Sequence, residues 1–192
     1  PAVELVFCKL HAGGKFNKKD AGNAYRFSGG LHGVGVSVTN ALSIRLEVEI
    51  KRGGGVHHIA FGAGFVTEPL SRIGDCGQRN TGTTVRIQPD PKYFDSPKIN
   101  LAQLEHLLRS KAVLMPNVTV DLEIEGETKK TWCYQNGMAD YLNEMMVGTP
   151  VAPIFVGEKH VESANGFAVG EGATFAMAWF EEGGGKPESY VN

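Results

Sequence analysis

The sequence predicts an α+β fold in which helices cover a mostly antiparallel sheet. Apolar and charged residues alternate without a break from Ile44 to Arg52, which is typical of a strand with one buried and one exposed face. Three glycines at 53–55 then separate this strand from a second apolar run, as expected for a hairpin turn. Other segments carry apolar residues at helical spacing, which indicates helices packed on the sheet.

Helical spacing of apolar residues predicts four helices along the chain. They run from Pro1 to the glycine pair 13–14, directly after Gly35, over about 100–112, and over 138–147. In the short second helix we expect the apolar residues to face the core, namely Val36, Val38, Ala41 and Leu42. Strands are predicted at 44–52, 56–61, 83–87, 118–124, near Trp132 and at 173–179.

The bulk composition is that of an ordinary globular protein. With 192 residues, the chain has enough material for one full core and part of a second domain. The net charge of −2 gives no overall positive field that would attract nucleic acid. Three widely spaced cysteines form no metal-binding pair and favour reduced thiols, as in the cytoplasm. Because Pro1 falls inside a helical pattern, we expect the chain to be a fragment.

Residues 28–43, SGGLHGVGVSVTNALS, carry the most informative pattern of the chain. Glycines remove side chains from a bend, so that backbone N–H groups can converge on one point. A helix that starts behind them adds its own unpaired N–H groups and a partial positive charge. The pattern therefore predicts a phosphate-binding turn.

Three common glycine-rich phosphate loops do not fit this turn. A dinucleotide-binding GxGxxG should follow a strand, whereas here the spacing is GxxGxG and a polar loop precedes it. A Walker A loop needs a lysine after its last glycine, but Val36 and Ser37 follow Gly35. A protein-kinase loop needs a downstream Val-Ala-Ile-Lys strand, and the sequence contains none.

Residues 11–16 (HAGGKF), 25–43 and 81–85 (TGTTV) resemble signature segments of the GHKL ATPases. Within these ATPases they resemble the B subunits of bacterial type IIA topoisomerases, and the resemblance covers essentially the whole chain. Segments 75–80, 94–97 and 132–135 resemble the topoisomerase IV branch more closely than the gyrase branch. The resemblance implies a two-layer α/β sandwich. Residues 1–148 would form the C-terminal part of the ATP-binding domain, with an ATP lid at about 12–33. Residues 149–192 would begin an α/β transducer domain.

The resemblance also implies roles for individual residues. The backbone of a continuous segment would wrap the phosphates: Gly30, Leu31, His32, Gly33, Val34, Gly35 and Val36. Among side chains, it implies a lid tyrosine at Tyr25, a mobile charge at Lys15, an adenine contact at Thr83 and a coumarin-contacting rim arginine at Arg52. Each side chain also has a structural interpretation: Lys15 as a solvated lysine, Tyr25 as lid packing, Thr83 as a strand residue and Arg52 as a surface arginine. For His32, we favour a contact with the phosphates through the backbone N–H over a role for the imidazole ring.

By the same resemblance, the parent protein would be an ATP-dependent type IIA DNA topoisomerase that couples ATP binding and hydrolysis to strand passage. Its expected partners are ATP, a second copy of the subunit, an A-type subunit, and DNA held by the full complex. The general base, the ligand of Mg²⁺ and the adenine-reading aspartate would lie before Pro1, and a lysine that contacts the γ-phosphate would lie after Asn192. The 192 residues alone are therefore expected to lack ATPase activity, because hydrolysis needs a positioned carboxylate.

Two other function classes remain open from the sequence. One is a different GHKL ATPase, such as gyrase B or a mismatch-repair enzyme. The other is an interaction module that keeps the fold without binding nucleotide. Saturable binding of a non-hydrolysable ATP analogue would separate the second class from the ATPases.

Overall fold

The computed structural model describes residues 1–12, 33–96, 98–161, 172–183, 185 and 187–190. The chain divides into two compact units, Pro1–Lys98 and Ile99–Asn192. All strand pairings among the described residues are antiparallel, which confirms the predicted α+β class with a mostly antiparallel sheet. The described residues contain no helix long and apolar enough to cross a membrane.

The described part of the first unit is a four-stranded antiparallel sheet with two short helices on one face. Its elements are α1 (Ala2–Cys8), α2 (Gly35–Ala41), β1 (Ser43–Arg52), β2 (Gly55–Gly62), β3 (Phe65–Asp75) and β4 (Gly82–Pro89). The strands lie in the order β3-β2-β1-β4, so β1 and β2 are central. The two helices contact each other, α2 contacts β1 and β2, and α1 contacts β3.

The alternation in β1 determines which side of the sheet is buried. Leu46 and Val48 face Phe61 and Ile59 across the β1–β2 register, and all four side chains are fully buried. Phe7 of α1 stacks on Phe61 with 5.3 Å between the ring centroids and closes this core. The predicted hairpin of β1 and β2, with its turn at the glycines, is therefore confirmed.

Strand β3 was not predicted from the sequence. It contains Pro69 and Gly74, which weaken a strand pattern, and its pairing with β2 is irregular at several points. One irregularity lies between the pairs His58–Ser71 and Ala60–Glu68, which bracket Pro69. A bulge there accommodates a residue that has no N–H to donate.

The predicted core-facing residues of α2 were wrong. Val36 and Val38 are exposed, whereas Ser37 and Asn40 are the buried residues of this helix. Ser37 and Asn40 are three positions apart and so share the buried helix face, whereas Val36 lies at the edge of that face and Val38 on another side. Ala41 is also exposed and Leu42 is half-buried.

The second unit contains one long helix, one short helix and two hairpins. Its elements are α3 (Leu101–Leu114), β5 (Val120–Leu122), β6 (Lys130–Trp132), α4 (Met138–Met145), β7 (Phe155–His160) and β8 (Gly172–Met177). Asn100 caps α3, because its Oδ1 accepts a hydrogen bond from the Gln103 N–H at 3.1 Å. Strand β7 was not predicted. In this unit α4 contacts β8, and the predicted domain start at residue 149 stays a prediction.

Candidate functional site

The predicted phosphate-binding turn leads into α2, and its last part is described. Gly33 has φ of +61°, in the left-handed region that favours glycine. Val34 follows as the N-cap residue, and no hydrogen bond from a described side chain caps α2. The first intrahelical bond runs from the Val38 N–H to the Val34 carbonyl at 2.9 Å. The N–H groups of residues 34–37 therefore have no acceptor inside the helix.

Among the described residues, space is available around Gly35, the first residue of α2. A Cβ atom built on Gly35 would meet no heavy atom within 4 Å. Gly35 begins α2 and its φ lies outside the left-handed region. The two glycines therefore have different roles, since Gly33 makes the bend and Gly35 leaves the start of the helix open. This arrangement can accept an anionic group on backbone N–H donors.

Hydroxyl side chains hold the short helix together. Ser37 Oγ donates to the Val34 carbonyl at 3.0 Å, and Thr39 Oγ1 donates to the Gly35 carbonyl at 2.9 Å. At the end of α2, Ser43 Oγ donates to the Thr39 carbonyl at 2.7 Å. These bonds occupy carbonyl acceptors and use none of the N–H groups at the start of the helix. The helix start thus keeps its capacity to bind an anion.

Thr83 lies on β4, on the side of the sheet that carries the helices. It pairs with Ile50 of β1, and the next residues of β4 on that side, Val85 and Ile87, pair with Val48 and Leu46 of the core. Val85 and Ile87 are nevertheless 47% exposed each, and Thr83 is exposed. The β4 part of this face is therefore an open, mostly apolar surface beside Thr83.

Arg52 is the last residue of β1, at the same end of the sheet as Thr83. It pairs with Gly55, and its side chain is exposed. The structure thus brings Arg52 and Thr83 to one end of neighbouring strands. Of the other predicted site residues, Gly33 and Val34 lie directly before α2, and Gly35 and Val36 are its first two residues. Five lie outside the described residues: Lys15, Tyr25, Gly30, Leu31 and His32.

The opposite side of the sheet carries charges that pair with one another. Arg45 contacts Glu47 at 2.6 Å and Glu68 at 2.7 Å, and Arg86 contacts Glu47 at 3.0 Å. Hydrogen bonds from Arg45 and then Arg86 hold the pKa of Glu47 below its ordinary value. Because these charges are paired on the far side of the sheet, they are not candidates for contacting a ligand at Thr83.

Two features of the site were not found by reading the sequence. The exposed strip of Val85 and Ile87 belongs to a strand whose alternation was recognised, but no local pattern indicated that this side stays uncovered. The buried Asn40 of α2 also escaped notice. Its spacing of three from Ser37 gave no signal of burial, because polar residues on one helix face ordinarily mark the exposed side.

Relatives of known identity match the whole chain. It is 47% identical to the DNA topoisomerase 4 B subunit of Salmonella typhimurium over 100% of the chain, and it spans 29% of the length of that relative. No protein-family model matches the chain.

Solved structures match the fold as well. One is the topoisomerase IV ATP-binding domain of Francisella tularensis in complex with a small-molecule inhibitor. The TM-score of this match is 0.63 and the sequence identity is 40%. The match covers 84% of this chain and 41% of the solved chain. Another is the 43K ATPase domain of Thermus thermophilus gyrase B in complex with an aminocoumarin. The TM-score of this match is 0.68 and the sequence identity is 29%. The match covers 84% of this chain and 40% of the solved chain.

Proposed function

The chain belongs to the B subunits of bacterial type IIA DNA topoisomerases, and on this premise we propose that it forms part of an ATP-binding site. The predicted GHKL-type fold is confirmed by the same matches. The observation that carries the proposal is the match of 84% of this chain, at 40% identity, to a topoisomerase IV ATP-binding domain. The lower identity of 29% to the gyrase structure favours the topoisomerase IV branch.

The geometry of the turn supports a phosphate-binding role for Gly33–Val36. An ATP phosphate would accept hydrogen bonds from the N–H groups at the start of α2 that have no acceptor inside the helix, where the helix also carries a partial positive charge. The positive φ of Gly33 and the open space at Gly35 suit a close backbone approach. The neighbouring segment with Gly30, Leu31 and His32 would extend the cradle, with Lys15 and Tyr25 as side-chain contacts.

Thr83 and Arg52 would contact the nucleotide end that lies away from the phosphates. Thr83 offers a hydroxyl beside an apolar strip, which suits a planar base that needs both stacking area and a hydrogen bond. Arg52 stands exposed at the same end of the sheet, as expected for a rim residue. In this proposal Thr83 orients the adenine and Arg52 borders the pocket.

Bound ATP supplies a phosphoanhydride bond whose hydrolysis drives conformational work, and this chain would hold and orient its phosphates. The described residues contain no group of three His, Cys, Asp or Glu side chains that could hold a metal ion. In this proposal the ligand of Mg²⁺ and the general base would come from the part of the relatives' length that this chain does not span. The role of the chain is electrostatic stabilisation by fixed N–H groups.

The whole protein would act as an ATP-dependent topoisomerase that passes one DNA duplex through another. Its partners would be a second copy of this subunit, an A-type subunit, and DNA bound by the complete assembly. The chain covers only 29% of its relative, so these activities involve more than this part of the protein. Purified full-length protein, mixed with its A-type subunit, should decatenate DNA only when ATP is present. ATP-independent decatenation would contradict this assignment.

Binding of a non-hydrolysable ATP analogue to the full-length protein tests the site directly. We expect saturable binding by the unmodified protein and its loss in the double variant Gly33→Ala, Gly35→Ala, because a Cβ on Gly33 strains the bend and one on Gly35 occupies open space that a phosphate would approach. Gly126→Ala is a matched control, since Gly126 also has positive φ (81°) with open space around it but lies in the second unit.

Two results would contradict the proposal. Absence of saturable binding in the unmodified protein would favour an interaction module without nucleotide. Equal loss of binding in Gly126→Ala would show that backbone strain anywhere in the protein is sufficient, and the turn would have no special role.

A further inference from the structure

Asn40 makes a buried hydrogen bond between the two helices of the first unit. Its side chain is fully buried, and Nδ2 donates to the carbonyl of Phe7 at 3.0 Å. Phe7 lies near the end of α1, 33 residues earlier, and its ring stacks on Phe61 in the sheet core. The amide of Asn40 therefore links α2 to a residue that is itself fixed by the core.

The bond is costly, which indicates a role other than stability. Asn40 Oδ1 is buried and has no hydrogen-bond partner within the described part of the chain. Burying this acceptor without a replacement for its water partner costs free energy. That cost offsets much of the stabilisation that the Nδ2 hydrogen bond contributes. An apolar side chain of similar volume would pack here without that cost. The amide is therefore better explained by the specific position it imposes on α2 than by a gain in stability.

The position imposed on α2 is transmitted to the turn before it. Asn40 lies five residues after Gly35, or about 7.5 Å along the axis of a regular helix. Helix α2 also contacts β1 and β2, but Asn40 makes a side-chain hydrogen bond that joins it to α1. We propose that Asn40 is a positioning residue for the phosphate-binding turn, holding the N–H groups of residues 34–37 in place through its bond to Phe7. This inference rests on the proposed ATP-binding function.

The substitution Asn40→Asp tests the hydrogen bond with almost no change of shape. An ionised aspartate has no hydrogen to donate to the Phe7 carbonyl, whereas a protonated one donates again. We expect the full-length Asn40→Asp protein to bind a non-hydrolysable ATP analogue about tenfold more weakly than wild type at about pH 8. The affinity of the variant relative to that of wild type should recover as the pH falls to about 5.5. Burial raises the pKa of an aspartate placed here, so that it becomes protonated and donates again.

The surroundings of Asn40 allow this pH comparison. The titratable group beside it is the thiol of Cys8, whose Sγ lies 3.9 Å from Nδ2. Burial raises the pKa of that thiol, and Glu4 and Lys9 on either side of it in the chain are the charged groups that influence it. The sheet residues that join Phe7 in the core are apolar. Recovery at acid pH would therefore report the introduced aspartate.

Asn40→Ala provides a second variant that removes both the donor and the unpaired acceptor. In the nucleotide-free protein we expect the backbone amides of residues 38–42, which are hydrogen-bonded within α2, to exchange hydrogen about tenfold faster, and analogue affinity to fall by a similar factor at every pH. Asn100→Ala is the control, because it removes an asparagine hydrogen bond from the start of α3 in the second unit.

The outcomes separate this inference from the proposed function. If wild type binds no analogue, the proposed function fails, and hydrogen exchange alone decides whether Asn40 holds α2. Unchanged exchange in Asn40→Ala would overturn the inference. Faster exchange with unchanged affinity would overturn it too, because the residue would then fix the helix without affecting the turn. A pH-independent loss in Asn40→Asp would show that the donated hydrogen is irrelevant.

Discussion

The two units of the chain are stabilised in different ways. The core of the first unit consists of fully buried apolar side chains from two central strands, Leu46, Val48, Ile59 and Phe61. The buried cluster of the second unit is smaller and includes Tyr134, whose hydroxyl takes part in polar contacts. The first unit therefore depends on the removal of apolar surface from water, and the second depends more on hydrogen bonds between partly buried groups.

The polar contacts of the second unit form a closed triangle. Arg109 Nε donates to the Tyr134 hydroxyl at 2.8 Å, and Arg109 Nη2 lies 2.8 Å from Glu144. The Tyr134 hydroxyl donates to the other Glu144 oxygen at 2.7 Å. The Arg109 guanidinium also lies 4.9 Å from the ring centre of Tyr141. One arginine thus connects α3, the segment that follows β6, and α4, so its loss should affect all three.

The largest effect is expected from truncating the core of the first unit. Phe61→Ala should lower the free energy of unfolding by about 3 to 5 kcal/mol, because it leaves a cavity and removes the stack on Phe7. Phe65→Ala is the matched control, since Phe65 is 75% exposed and should change stability by less than about 0.5 kcal/mol. Denaturant unfolding measures both. Equal losses in the two variants would contradict the view that burial stabilises this unit.

A smaller effect is expected from breaking the polar triangle. Arg109→Met should lower the free energy of unfolding by about 1 to 3 kcal/mol, because it removes the hydrogen bond from Arg109 to the buried Tyr134 and the ion pair with Glu144. Arg86→Met is the control, since the Arg86 side chain is 79% exposed and its pair with Glu47 should contribute at most about 1 kcal/mol. Hydrogen exchange should locate the Arg109→Met effect in α3 and α4. An equal or larger loss in Arg86→Met would make the triangle an ordinary surface pair.

How much of the fold could be predicted depends on whether the burial of a segment follows from its own sequence pattern. The hairpin of β1 and β2 was predicted because the burial of its residues follows their own alternation. Strand β3 was missed because Pro69 and Gly74 obscure its pattern, and its place depends on the edge that β2 offers. The buried face of α2 was assigned to Val36 and Val38 because hydrophobicity was given more weight than helical phase.

The site was predictable where backbone chemistry determines it. Gly33 was found because only a few residue types tolerate the conformation that a tight turn needs. The role of Asn40 was not predictable, since its partner Phe7 is 33 residues away and nothing in the local sequence identifies it. The polar triangle of the second unit was missed for the same reason, because its three members come from separate elements.

The smallest expected effect is the response of the two units to acid. Hydrogen bonds from Tyr134 and Arg109 hold the pKa of Glu144 below its ordinary value of 4.5. A carboxylate whose pKa is lower in the folded state stabilises the protein above the unfolded pKa, and this contribution disappears as the pH falls through the folded pKa. The second unit should therefore loosen below about pH 4.5, and Glu144→Gln should remove part of that pH dependence.

The two tryptophans make this measurable, because Trp132 and Trp179 both lie in the second unit. Their fluorescence should change in acid before the β1 and β2 amides of the first unit lose protection from hydrogen exchange. The carboxylate of Glu47 in the first unit also has a lowered pKa, but it lies on the charged outer side, and its protonation leaves the apolar core intact. Earlier loss of protection in β1 and β2 would mean that the outer ion pairs, rather than the buried strands, limit the stability of the first unit.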